Sequence, residues 1–322
     1  MTIAKPVASS NKVNFDVKFR TQMENKIVEL LSPKDIDALL AEKCGPRYWD
    51  YRANWAKGMK FEGAADFPLS LDVENLNHCN FACHHCMFSS KEAHPDTKNR
   101  VGKRMMDLNL YKKAIDEGGE RGLAAITHGV QCEPMMHPDI VEMVSYAERR
   151  GIMDQRIGTN GSLLTGEMSE RLIDAGLARL EVSLDAATAE TYKLVRKGKD
   201  AIYENIIANI HRFLDIRAKR GTKFPILRVS IVKMNINRHE VDQFVDYWKD
   251  YADYFSLQEP INYQMNLPNT AIEWEKEQDK DNFRCDKPFT RVFMRWDGTL
   301  HPCFPLNIPG FETFDLGNFK EE

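Results

Sequence analysis

Seven cysteines are scattered through the 322 residues, and three of them fall within eight positions of one another. The segment is Asn77-His-Cys79-Asn-Phe-Ala-Cys83-His-His-Cys86, with three and then two residues between the thiols. Three thiolates on one tight loop can hold three irons of a 4Fe-4S cube, whose protein ligands are cysteine sulfurs, and leave the fourth iron open. A zinc site is the competing reading, because His84 or His85 could supply a fourth ligand. Zinc sites pair two such knuckles, however, and no matching second knuckle follows. Ferredoxin spacing needs a fourth cysteine close by, and that is missing too.

A Cys-x3-Cys-x2-Cys loop directly after a predicted first strand resembles the signature of the radical S-adenosylmethionine (radical SAM) superfamily, and the resemblance runs from about residue 69 to the end. It implies that Cys79, Cys83 and Cys86 ligate the cluster, and that S-adenosylmethionine chelates the open iron through its amino and carboxylate groups. One electron from the cluster would then cleave a carbon–sulfur bond and release a 5′-deoxyadenosyl radical. Smaller motifs resemble the family's in the expected order. His85 stands where an aromatic residue lies against the adenine. Gln131-Cys132-Glu133-Pro134 stands where a Gly-Gly-Glu-Pro run bonds the methionine amino group, with Cys132 at a usual glycine position and Glu133 kept. Asn160, in Gly158-Thr-Asn-Gly161, and Ser183 match cofactor-contacting positions, although Asn-Gly is also an ordinary turn. Arg196 resembles the arginine that pairs with the methionine carboxylate; a surface salt bridge is its plainer role. Val232 and Asn235 are weaker candidates for flanking the adenosine, and Cys132 reads as packing.

Near the end, Cys285 and Cys303 bracket Asp297-Gly298, which reads as the turn of a hairpin. Their Cys-x12-Gly-x4-Cys spacing, with Leu316-Gly317-Asn318 after it, resembles the opening of the SPASM and twitch extensions that carry auxiliary 4Fe-4S clusters. The segment supplies two of the roughly four ligands a cluster needs, so an auxiliary cluster at Cys285 and Cys303 reads as incomplete. Two buried core thiols are the alternative.

These side chains need a scaffold. Strands are predicted at Leu69–Leu76, Ala124–Gly129, Gln155–Thr159, Leu180–Asp185, Leu227–Lys233 and Tyr254–Gln258, with helices around Asn109–Arg121, Asp139–Arg150, Glu167–Ala175, Glu204–Lys219 and Val241–Tyr251. Strands alternating with helices of this length imply βαβ units and a parallel sheet. The fold class is α/β: a partial (β/α)6 TIM-like barrel whose site lies at the C-terminal strand ends. Residues 1–66 read as a mainly helical lobe, with a helix start at Ser32-Pro33, 67–280 as the core, and 281–322 as the start of the hairpin extension. Tyr48-Trp-Asp-Tyr51 and Trp55 read as packing for the lobe.

A formal charge of −4 gives no case for nucleic acid or an anionic membrane. No apolar run approaches the ~20 residues of a membrane helix, and no signal peptide opens the chain, so a cytoplasmic protein is expected. The expected enzyme is a radical SAM oxidoreductase or related radical-generating enzyme, oxidising or rearranging a small molecule such as a sugar, aminocyclitol or nucleotide-linked metabolite, with flavodoxin or ferredoxin as reductant. A maturase of ribosomally made peptides is the alternative, and a non-catalytic iron–sulfur or zinc module is a distant third. No acid or base stands out; Glu259 is one candidate.

Overall fold

A computed structural model describes residues 33–83, 85–86, 103–199, 201–258, 285–303 and 315–320. All six expected strands form, as β1 (Ser70–Val73), β2 (Ala125–His128), β3 (Asp154–Thr159), β4 (Arg179–Ser183), β5 (Ile226–Val232) and β6 (Tyr254–Gln258). They lie side by side in chain order, each parallel to the next. Parallel neighbours need a crossover, and each is helical, with side-chain caps at the starts of three of the helices. Asp107 accepts from the amides of Asn109 and Leu110 to start α3 (Leu108–Arg121), and Gly122 ends it at φ +88. Behind β2 runs α4 (Ile140–Arg149); Thr165 caps α5 (Gly166–Asp174). After β4 come two helices, α6 (Ala189–Arg196), capped by Thr188, and α7 (Ile202–Lys219). The first of these was not among the expected helices. The last crossover is α8 (Val241–Trp248).

Alternate residues along a strand face opposite sides, and here the two sides differ in chemistry. Ile157, Leu180, Val182, Leu227, Val229 and Ile231 pack with α5 and α7 in one apolar core. Leu71, Val73 and Ile126 pack with α3 and α4 in another. The positions between them are Asp72, Thr127, Arg156, Glu181, Arg228 and Ser230, which line the inner face of the open sheet.

The C-terminal cysteines do flank a hairpin, but it is not a free appendage. A short α9 (Lys287–Thr290) leads into β7 (Arg291–Met294), which pairs in parallel with the free edge of β1. β8 (Thr299–His301) returns antiparallel through a turn with Gly298 at φ +90, and β9 (Gly317–Asn318) completes a nine-stranded sheet.

The helical lobe comprises α1 (Pro33–Cys44) and α2 (Arg47–Met59). Ile36, Leu40, Tyr48 and Tyr51 pack on Leu69, Ala124, Met153, Ala178 and Ile226, all at the N-terminal ends of the strands. This lobe seals one end of the inner face. Among the described residues no helix is long and apolar enough to cross a membrane.

Candidate functional site

The cysteine loop leaves the C-terminal end of β1, where the backbone is held on both sides. Buried Asn75 accepts from the Gly129 amide at 2.9 Å, tying β1 to β2. Asn77 accepts from the Arg104 amide at 2.9 Å, and Leu76 bridges Met105. Within the loop the Cys86 amide donates to the Cys83 carbonyl (3.2 Å), and the Phe81 amide lies 3.5 Å from the Cys79 sulfur. Cys83 is buried while Cys79 and Cys86 are half-buried. Burial pushes the Cys79 thiol up to about 12 and raises Cys83 as well, against the opposing pull of the Phe81 amide on one and Arg196 on the other. Holding these sulfurs as thiolates therefore calls for a cationic partner, which is what a ligated iron provides. Among the described residues no three His, Cys, Asp or Glu side chains gather as ligands of one ion. A cube differs in its demand, taking one thiolate per iron. Three cysteine thiols on one loop are a donor set that fits a cluster.

Beside the loop, Glu133 acts as a keystone. It is fully buried, and its Oε1 accepts from Thr159 Oγ1 (2.7 Å) and the Met135 amide (3.2 Å), while Oε2 accepts from the Asn160 amide (2.7 Å). Burial raises its pKa, and those three donors pull the other way. The glutamate thus joins the turn after β2 to the end of β3. The turn passes so close to β3 that a Cβ on Gly129, at φ +87, would lie 2.5 Å from Pro134 Cγ and 2.6 Å from the Gly158 carbonyl oxygen. Sequence comparison drew attention to Cys132, but the left-handed residue is its neighbour Gln131, at φ +68. Burial drives the Cys132 thiol well up, against the opposing pull of the Leu76 backbone amide.

Asn160 reaches back to the loop. Its Nδ2 donates to Asn80 Oδ1 at 2.7 Å and lies 3.9 Å from the Cys79 sulfur, and Asn80 in turn donates to Ser162 Oγ at 2.8 Å. Ser183, half-buried at the end of β4, lies 3.5 Å from Ser230 Oγ.

The centre of charge is Asp185, which sequence reasoning did not single out. It is fully buried just past β4 at φ +60. Its Oδ2 pairs with Arg196 at 2.6 Å and with His85 Nε2 at 3.2 Å, and Oδ1 accepts from the Val232 amide at 2.7 Å. Burial alone would raise its pKa; Arg196 and His85 outweigh that and hold the carboxyl down at about 2. Arg196 also lies 3.5 Å from the Cys83 sulfur. So Arg196 is no surface salt bridge, and His85 is no solvent-facing loop residue. Both are drawn inward because α6 folds back over the strand end, with Tyr192 packing edge-on to Phe81 of the loop at 6.4 Å. The Tyr192 hydroxyl and Arg196 Nε are buried with no hydrogen-bond partner among the described residues.

Val232 ends β5 and touches this network through its amide; Asn235 lies past the strand. Cys285 is exposed two residues before α9, and half-buried Cys303 lies two residues past β8, so both sit away from the loop. Glu259 and His84 lie outside the described residues.

The model of the radical SAM superfamily matches residues 75–247, more than half of the chain. A probable GTP 3′,8-cyclase of Methanocaldococcus jannaschii is 27% identical over 226 residues, covering 70% of each chain. A mycofactocin maturase of Mycobacterium ulcerans is 30% identical over 189 residues, 58% of this chain and 45% of that one. Among solved structures, Streptococcus suis SuiB bound to S-adenosylmethionine superposes with a TM-score of 0.61 at 16% identity, covering 85% of this chain and 68% of that one. This last likeness is one of fold.

Proposed function

Because the chain belongs to the radical SAM superfamily, an enzyme family that works with a 4Fe-4S cluster and S-adenosylmethionine, we propose that it is an oxidoreductase removing hydrogen from a small polar molecule. When bound, the cofactors would supply an adenosyl radical able to take a hydrogen atom from an unactivated C–H bond, and the oxidised cluster would take back the second electron as a proton leaves the substrate. The chain's own residues bind, orient and shield. Cys79, Cys83 and Cys86 hold the cluster. Arg196, fixed by Asp185, and the Tyr192 hydroxyl, which has no hydrogen-bond partner among the described residues, would offer donors to the methionine carboxylate. Asn160 and Ser183 offer polar contacts at neighbouring strand ends, Glu133 keeps the turn in place, and His85 lies at the wall where adenine would rest.

The observation that carries the reading is the pairing of this thiol loop with a buried Asp185–Arg196–His85 network at the C-terminal ends of a parallel sheet. A small polar substrate, of the sugar or aminocyclitol kind, is favoured by the polar inner face below it. The likeness to GTP cyclases, named for a nucleotide substrate, points the same way. Peptide maturation is the second reading, favoured by the likeness to a mycofactocin maturase. Flavodoxin or ferredoxin would deliver the electron. The test is anaerobic reconstitution, reduction with dithionite and assay for 5′-deoxyadenosine. Its formation is expected; a fully loaded, reduced protein that forms none overturns the proposal.

A further inference from the structure

Below the loop, the inner face of the sheet carries charge that is unevenly matched. Arg179 is held by Asp154 through two contacts of 2.7 and 2.6 Å, and Arg291 pairs with Asp72 at 3.1 Å. Glu181 is placed differently. It lies on β4 between Arg228 of β5, at its own level and 2.6 Å away, and Arg156 of β3, two residues deeper and 3.8 Å away. Two guanidiniums share Glu181, and although Asp72 and Asp154 also attract Arg156, the four cations Arg156, Arg179, Arg228 and Arg291 meet three carboxylates on this face. Arg156 spends its Nε on Thr127 Oγ1 at 2.8 Å, and Arg228 Nε is buried with no hydrogen-bond partner among the described residues. An unbalanced cation on a largely enclosed face is costly unless a counter-charge can reach it.

There is room for one. Arg156 projects from a strand flanked on both sides, yet 31% of its side-chain surface is accessible. The opening lies on the inner face, since the outer face of β3 is packed by Ile157 in the apolar core. The aromatic residues of α2 close the N-terminal end of that face, where Trp55 lies 5.0 Å from the Arg291 guanidinium. Among the described residues, entry is left from the side of the cysteine loop. Arg228 is level with Glu181, two residues or roughly 7 Å below Ser183, and Arg156, level with Arg179, lies two residues deeper still, at ~3.3 Å of rise per residue.

We propose that Arg156 and Arg228 form an anion subsite that binds a phosphate or carboxylate on the substrate, leaving the rest of the molecule at the level of Ser183. Guanidinium forks suit planar and tetrahedral oxyanions alike. Glu181 orients both arginines and competes with the anion for them. The inference rests on the small-molecule reading above and narrows it to substrates with an acidic end.

The test is calorimetric titration of the anaerobically reconstituted holoprotein with inorganic phosphate and, separately, succinate, at low ionic strength. Saturable binding of at least one is expected, and whichever binds more tightly tells phosphate from carboxylate. Arg156→Met and Arg228→Met should each weaken it by about tenfold or more, whereas Arg171→Met, on the outer surface of α5, should not. Glu181→Gln removes the competitor and should tighten binding severalfold, a gain that a misfolded variant would not show. Absence of binding by either anion, or binding that Arg156→Met, Arg228→Met and Glu181→Gln all leave unchanged, overturns the subsite. The titration needs no reductant and no turnover. Its failure is therefore separable from a failure to form 5′-deoxyadenosine, which would overturn the enzymatic reading instead.

Discussion

Asp185 illustrates how one residue can organise a site without touching a reacting atom. Its carboxylate neutralises Arg196 and aligns His85, so the guanidinium stays beside Cys83. An aspartate in an unfolded chain titrates near ~3.9, whereas here the group is held at about 2. The depressed value means that its ion pairs stabilise the fold fully above pH ~4, and that the gain is lost as pH falls through the folded pKa. A shift of this size corresponds to on the order of 2–3 kcal/mol. Asp185→Asn should cost about 3 kcal/mol or more in urea unfolding near neutral pH, because it leaves Arg196 buried without its counter-charge. The deficit should narrow as the pH is lowered toward 3, since the unfolded chain's carboxyl takes up a proton there while the folded one stays ionised. An acid-independent deficit would assign the loss to packing instead. Titration with S-adenosylmethionine should show affinity lowered by about tenfold, the effect of loosening one charged hydrogen bond.

At the scale of elements, the six strands and their order could be read from alternating β-branched runs and helical stretches, because local pattern and packing agree there. Three features could not. α6 is short, and its signal is little more than Thr188 as a cap followed by Tyr192 and Val195; its importance comes from packing over the loop. β7 is four residues long and pairs with β1, more than 200 positions earlier, a contact no local pattern encodes. The network at Asp185 was hidden for the same reason, since His85 and Arg196 meet it only after the chain has folded. The close approach at Gly129 is a further consequence of tertiary geometry. Gly129→Ala places a methyl against Pro134 and the Gly158 carbonyl in a left-handed conformation. It should lower stability by about 2–3 kcal/mol and displace Glu133, the link between β2 and β3. Thermal unfolding and S-adenosylmethionine affinity should therefore both fall, while Gly122→Ala, where nothing lies within 4 Å of the added carbon, should affect stability alone.

Across the whole molecule, the sheet separates two sets of cysteines by direction. Cys79, Cys83 and Cys86 follow the C-terminal end of β1. β7 runs parallel to β1, so Cys285 and α9 approach its N-terminal end; β8 runs back antiparallel, carrying Cys303 toward that same end. Topology thus returns the second pair of thiols to one side of the hairpin, opposite the first set. A cube needs about four ligands, and Cys285 and Cys303 supply two, so the pair by itself is expected to hold no stable cluster. Iron counting after anaerobic reconstitution makes this testable. The wild type should bind about four irons, one cube, and a Cys79/Cys83/Cys86→Ala variant should bind none, whereas Cys285/Cys303→Ala should keep the full complement and the electronic spectrum of the wild type. Iron persisting in the first variant and disappearing when Cys285 and Cys303 are also replaced would establish an auxiliary centre with ligands beyond these two. In that event the inner face, with its arginine pair, would lie between two redox groups, and the electron left on the substrate after hydrogen abstraction would have an acceptor within the same chain.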